Sequence, residues 1–528
     1  MILQYAERGY RDCVDQCEEN LLVWGLKMIS HNEVAYMSAR ELASKIKDLE
    51  FSPVEVTEAF IQRIEERNKS LNAFVYFGYQ DALIKAKEAE RLLLAGEDVG
   101  NFHGVPSALK DLFGAKPGWI STFGGIRAFK NNVVNHYCAY GERFERTGGI
   151  LLGKTNSPVL GFRGVTDNYL FGPTRNPFDL SKNAGGSSGG GAAAVADGLV
   201  PIAQGSDTGG STRIPAAWCG IYGFKPSGGR VPFLGRPNGL RTYISSTEGT
   251  LTRTVEDAAL GLSMLTGYDF RDPYCLDEKV DYLTALKGSI KGWRIAYSSN
   301  FGVYPVDRRV AHSVAEAVKV FQQAGASVEE VDIGIPYDQG MLSELFNRIV
   351  MRGSISIFEN YKSKGIDLLK DHREDLPPQY LEWIEKAYQM NMIDVNQDEI
   401  MRTTIYDKVQ NVFNDYDLLI TPTVATLPTE NGYDGNTVGP SQINGVEIDS
   451  LIGWCMTYIT NFTGHPSASI PAGLADQLPV GMQIIGKRYA DTDVITASAV
   501  FEKLKPWDQI YEICRNRILD NYQISSRN

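Results

Sequence analysis

The sequence has no apolar run approaching the ~20 residues that a membrane-spanning helix needs. It has only six histidines in 528 residues, so the commonest general base and metal ligand is scarce. It has no basic excess: 52 Lys and Arg against 64 Asp and Glu leave a net charge of −12. Too few cations are left over to neutralise phosphates, which argues against a nucleic-acid partner. Cysteine is sparse and odd in number, seven in all, which favours free thiols in a reducing cytoplasm over a disulfide framework. The first residues, MILQYAERGYRDCVDQCEEN, lack the apolar stretch of a signal peptide. Internal repeats and low-complexity linkers are missing too. The expectation is a cytoplasmic globular protein whose partner is neither a membrane nor a nucleic acid.

What is present is ordinary in bulk: 43% hydrophobic and 22% charged residues, enough for a large core. Two helix starts stand near the front. SARE at Ser38–Glu41 and SPVE at Ser52–Glu55 fit capping boxes, the second with proline at the first helical position. After Ser52, Val56, Phe60 and Ile64 recur every four residues, as an amphipathic helix requires. Residues 1–70 read as an N-terminal helical arm and 71–528 as one catalytic domain. Cys13 and Cys17, four apart on that arm, have no second Cys/His pair nearby and read as two thiols rather than a metal site. From about 100 to 240 the chain is glycine-rich with short apolar runs; from about 280 to 415 it is charged and helical. Strand-like runs return at DLLITPT (417–423) and GMQIIG (481–486). Strands and helices mixed throughout predict an α/β fold, a large central mixed sheet flanked by helices on both faces.

Four motifs compete for the chemistry. GGILLGKT, Gly148–Thr155, satisfies the P-loop pattern letter for letter. Its middle residues are apolar and themselves read as a buried strand, and the preceding GERFERT is charged, so the nucleotide reading fails. GSSGG at Gly186–Gly190 fits a nucleophile elbow centred on Ser188. The elbow needs an apolar strand before it, and NPFDLSKNA is turn-like. SALK at Ser107–Lys110 fits an S-x-x-K pattern whose partner motifs are missing, yet it marks Lys110 as a lysine after a short apolar stretch. A buried lysine loses pKa and becomes a base. The fourth reading joins Lys110, the loop GGSSGGG (185–191) and GSDTGGS, which ends at Ser211, as a base, an intervening hydroxyl and a nucleophile. A glycine loop opening the alanine-rich AAAVADG segment aims N–H groups at one point. Close strand–helix packing is the competing account of so much glycine.

The stretch Gly185–Pro226, GGSSGGGAAAVADGLVPIAQGSDTGGSTRIPAAWCGIYGFKP, resembles the amidase signature. HGVPSALKD, LLGKTNSP, FGPTRNPFD, DLLITPT, NFTGHPSASIP and PVGMQIIG extend the resemblance over roughly residues 38–505. Carried over residue by residue, it implies a Ser–Ser–Lys triad. Ser211 would be the nucleophile, Ser187 the bridging serine after a cis Gly186–Ser187 bond, and Lys110 the terminal base. The N–H groups of Thr208, Gly209, Gly210 and Ser211 would form the oxyanion hole. Ser188 would be a supporting hydrogen-bond partner, and Asp207 and Arg213 would brace the loop. The implied activity is hydrolysis of a small-molecule amide through an acyl-enzyme, with release of ammonia or an amine and with no cofactor or metal. Within the same family the alternative is the glutaminase subunit of a tRNA-dependent amidotransferase. The acyl pocket is expected within 280–460, with Phe113, Tyr140 and Trp218 as candidates near the chemistry. A homodimer is the base-rate expectation for the assembly.

Overall fold

The computed structural model describes residues 29–240 and 246–519. Cys13, Cys17 and the front of the N-terminal arm lie outside the described residues. Both helices start at their capping serines, though neither Glu41 nor Glu55 completes the box with a bond back to the cap N–H. Ser38 Oγ accepts the Glu41 N–H at 3.0 Å and opens the helix Ala39–Lys47. Ser52 Oγ accepts the Val54 N–H at 3.0 Å and opens the helix Pro53–Leu71, which stops at Asn72 in the left-handed conformation. Val56, Phe60 and Ile64 are fully buried and share one core with Ile150, Ala203 and Leu251 of the central sheet. Arg67 adds a two-pronged ion pair to buried Asp197, at 2.6 and 2.9 Å. The described part of the arm is therefore packed on the catalytic body.

The strands are β1 (Phe74–Phe77), β2 (Pro106–Lys110), β3 (Ile150–Thr155), β4 (Arg175–Asn176), β5 (Asp179–Asn183), β6 (Ile202–Asp207), β7 (Tyr222–Lys225), β8 (Thr247–Thr252), β9 (Arg294–Tyr297), β10 (Ser327–Glu330), β11 (Leu418–Pro422), β12 (Gln442–Ile443), β13 (Val446–Glu447), β14 (Ser467–Ala475) and β15 (Leu478–Gly486). Eleven of them form one mixed sheet in the order β1-β3-β2-β6-β8-β7-β14-β15-β11-β9-β10. Helices pack around it, as an α/β fold requires. Among the described residues no helix is long and apolar enough to cross a membrane.

Two features of this sheet place the site. β2 and β6 are parallel neighbours, with Ser107 opposite Ile202 and Ala108 opposite Ala203. Their carboxyl ends, Lys110 and Ser206–Asp207, therefore emerge side by side, where α/β sheets collect their ligands. The helix Gly189–Ala196, GGGAAAVA, is wholly buried, and its missing side chains let it lie close to the sheet. Gly190 in particular packs against the backbone of Asn156 and Ala73, so any side chain there would push helix and sheet apart.

The P-loop match resolves as expected. Ile150–Thr155 is the buried strand β3, and Lys154 Nζ lies 2.7 Å from Asp111 Oδ1 in the interior rather than facing a phosphate. Further along the chain, the helix Gln339–Lys362 and the helix Pro378–Gln389 build an apolar cluster with Leu160 and Phe162, beside the carboxyl ends of β2 and β6.

Candidate active site

Lys110 ends β2 with 1% of its surface exposed. Its Nζ donates to Ser187 Oγ at 2.7 Å and to Ser206 Oγ at 3.0 Å. Burial lowers its pKa to about 7, against the opposing pull of Asp207. At neutral pH a large share of this lysine is an amine with a lone pair, able to take a proton from the hydroxyl beside it.

Ser187 follows a cis peptide from Gly186 and is itself buried. The Gly186 backbone packs against that of Val165, which leaves no room for a Cβ. Ser187 and Ser211 line the same cleft. The two loops are tied by the Ser188 N–H, which donates to the Ser211 carbonyl at 3.1 Å. The Ser188 hydroxyl is turned the other way, spanning the Ser206 N–H and carbonyl at 3.4 Å each. It does not line the cleft, nor does any histidine among the described residues, so the elbow reading has neither an open nucleophile nor a base.

The loop 207–211 is held from below. Asp207 and Arg213 are both fully buried and form a two-pronged pair at 2.9 and 3.0 Å. Burial opposes ionisation of Asp207, but Arg213 outweighs it and holds the carboxyl down at about 2. Arg213 also donates to the Thr457 carbonyl at 2.9 Å and to Asn461 Oδ1 at 2.7 Å. Thr457 Oγ1 donates to the Gly209 carbonyl at 2.7 Å. The Gly210 N–H is committed to Asp207 Oδ1 at 2.8 Å. In this arrangement it braces the loop and is not offered to the cleft. The N–H groups of Gly209 and Ser211 have no protein acceptor among the described residues. They, with Thr208, border the cleft.

The cleft has a volume of about 1170 Å³, its open mouth included. Leu160, Phe162, Phe346, Ile349 and Ile452 are among the apolar residues of its wall. The helix Gln339–Lys362 and Ile452 supply part of that wall from inside the expected 280–460 stretch, while Leu112, Phe113, Leu160–Gly164, Ile214 and Phe233–Asn238 line it from outside that stretch. The charged side chains on its lining are Arg163 and Arg236; none is acidic. Among the described residues no three His, Cys, Asp or Glu side chains converge as metal ligands would.

A family model described as Amidase matches residues 55–495. The chain belongs to the amidase family. This amidase is 36% identical over 486 residues to an acylamidase of Rhodococcus erythropolis, covering 91% of this chain and 98% of that one. It is 32% identical over 496 residues to a glutamyl-tRNA(Gln) amidotransferase subunit from Carboxydothermus hydrogenoformans, covering 89% and 98%. Among solved structures it resembles a bacterial aryl acylamidase of the amidase signature enzymes at 50% identity and TM-score 0.91, over 92% of this chain and 99% of that one. It is an enzyme of the class that hydrolyses linear C–N amide bonds.

Of the three aromatic candidates, Phe113 lines the amidase's cleft and the other two do not. Tyr140 is fully buried, its hydroxyl 2.8 Å from Ser107 Oγ and its ring stacked on Phe144. Trp218 is fully buried and stacked on Trp454, with centroids 4.5 Å apart. Tyr140 lies on the buried face of the helix Ala139–Arg146 and Trp218 on the wholly buried helix Arg213–Trp218, so closeness in sequence to the site says nothing about facing it. Ser206 is the site residue that the sequence reading left unassigned. Its only signal is its place at the end of the strand beside Lys110, which requires knowing that β2 and β6 are neighbours.

Proposed function

We propose that the chain is a stand-alone acylamidase that works through Lys110, Ser187 and Ser211. Ser211 attacks the amide carbonyl while Ser187 takes its proton and passes its own to Lys110. The tetrahedral oxyanion forms against the backbone N–H groups of Gly209 and Ser211. Lys110 and Ser187 return a proton to the nitrogen, the C–N bond breaks, and the amine leaves. Water, activated by the same relay, then releases the acid from the Ser211 ester. The observation that carries this reading is the 2.7 Å contact between buried Lys110 Nζ and Ser187 Oγ, on the same cleft as Ser211.

The apolar wall supports amides with hydrocarbon or aryl substituents, as the names of the acylamidase relatives also suggest. The glutaminase alternative fits this cleft less well. Free glutamine carries an α-ammonium, and no carboxylate stands on the described lining to pair it. The five described cysteines are free, which supports a reducing, cytoplasmic setting.

The test is a panel of aliphatic amides, anilides, carbamates and glutamine, read by released ammonia or amine, with Ser211→Ala and Lys110→Ala in parallel. Turnover of anilides, lost by at least about 10⁴-fold in Ser211→Ala, is the expected result. Glutamine as the sole substrate would replace this reading by the amidotransferase one. Undiminished turnover in Ser211→Ala would remove Ser211 as nucleophile.

A further inference from the structure

A second cavity opens beside the cleft and shares part of its wall: Leu112, Phe113, Phe233 and Gly235 border both. Phe113 and Phe233 meet edge to face at the boundary, with centroids 5.6 Å apart and planes at 79°. Aromatic rings line much of this chamber, with Phe123, Tyr137 and Tyr361 joining the two at the boundary. Its buried end holds the carboxyl of Glu248, 1% exposed. Arg236, Lys364 and His136, which also border the chamber, are exposed at its outer rim.

Glu248 is an unusual floor for an aromatic chamber. Its Oε2 accepts the Tyr140 N–H at 2.9 Å and Gln204 Nε2 at 3.1 Å. No lysine, arginine or histidine among the described residues lies within ion-pair distance of it. Burial pushes the carboxyl up to about 7, against the opposing pull of its N–H donors and of the more distant Arg143. One of these donors belongs to the first turn of the helix Ala139–Arg146, whose dipole favours a carboxylate there. An acid at one end of a chamber with aromatic rings on its lining is a composition that recognises an ammonium group, by charge-assisted hydrogen bonding at that end and cation–π contact along the walls.

The chamber also lies on the lysine side of the chemistry. Leu112 and Phe113 follow Lys110 in the chain. Gln204 links the two ends directly, accepting the Lys110 N–H at 3.0 Å through Oε1 and donating to Glu248 through Nε2. In the reaction proposed above, the proton reaches the departing nitrogen from that side, so the amine half of the amide is the half that faces it.

We propose that this second chamber takes the amine half of the substrate, and that Glu248 receives an ammonium or N–H donor at the far end of that half. The inference rests on the amide-hydrolase reading. Phe113 and Phe233 then form the neck through which that half passes, and amides of amines with a second, distal amino group are the preferred class.

The experiment compares acetanilide with its 4-(aminomethyl) derivative, which carries an ammonium at the far end of the ring. In the wild-type enzyme the charged substrate should have the higher kcat/KM, through a lower KM. In Glu248→Gln the ratio of charged to neutral kcat/KM should fall by at least about 10-fold. A second measurement uses the wild type alone: benzylammonium should inhibit acetanilide hydrolysis competitively, at least about 10-fold more strongly than benzyl alcohol. An unchanged ratio in Glu248→Gln, or equal inhibition by the two benzyl compounds, overturns the inference. Failure of the wild type to hydrolyse either anilide overturns the underlying reading instead.

Discussion

Acidification below pH 7 should switch this enzyme off, with Lys110, the proposed base, setting the slope. Its pKa of about 7 is the mark of a buried amine, against the usual 10.5. If the free base is the working form, kcat/KM falls tenfold per pH unit below that value, or ~100-fold from the plateau to pH 5. The same shift has a stability consequence whose sign is fixed. Between pH 7 and 10.5 the unfolded chain holds a proton on this residue that the folded chain has released. Stability therefore rises with pH across that window, and below it the full cost of charging a buried amine applies, roughly 5 kcal/mol at ~1.4 kcal/mol per unit. Lys225, also buried and lowered to about 7, adds a second contribution in the same window. Lys110→Met should remove one of the two, so its unfolding free energy should change less between pH 7 and pH 9.5 than that of the wild type. The assays are kcat/KM on a neutral anilide from pH 5 to 9, and urea unfolding at those two pH values. Warming separates the groups: an amine loses its proton endothermically, so a lysine limb moves to lower pH, whereas a carboxyl such as Glu248, also near 7, stays where it is. A profile flat down to pH 5, an apparent pKa near 10, or a limb indifferent to temperature would refute the assignment of Lys110 as the base.

Two further perturbations bear on the loop. Arg213→Met leaves Asp207 charged and unpaired in the interior, so unfolding in urea should show a loss of about 3–5 kcal/mol, with part of it regained in Arg213→Met/Asp207→Asn. Gly210 has a φ of +119°, and a Cβ there would run into Thr457 Oγ1. Gly210→Ala should therefore lower kcat by at least about 100-fold; Thr457→Gly in the same chain, which removes both Oγ1 and the Cβ 2.5 Å away but not the φ, should restore activity only in part.

How far the sequence carried differs from element to element. Helix starts were legible because a cap is local: Ser38 and Ser52 each bond an N–H two or three residues on. The P-loop match could be rejected for the same reason, since four apolar letters before Gly153 already spell a strand. Lys110 and Ser187, 77 positions apart, meet as the family resemblance implied, although nothing in their local sequence joins them. Ser206 went unassigned because its reach to Lys110 depends on strand order, which period and propensity do not encode. Of the candidates near the chemistry, Tyr140 and Trp218 face the core, and position along the chain cannot tell a ring facing a cleft from one facing the core. The engagement of the Gly210 N–H by Asp207 was equally out of reach, being a matter of where one carboxylate oxygen points.

The wall contributed by the helix Gln339–Lys362 is more than a hundred residues downstream of Ser211, on an element that holds none of the proposed reacting groups. Part of what decides which molecules the enzyme admits is thus written far along the chain from the groups proposed to act on the bond. Phe346, Ile349, Val350 and Ile357 can be exchanged for larger, smaller or more polar side chains while the serines and the lysine keep their spacing. A lineage, or an engineer, can retarget such a catalyst by rewriting one helix, and the hydrolytic machinery need not be reinvented each time the diet of amides changes.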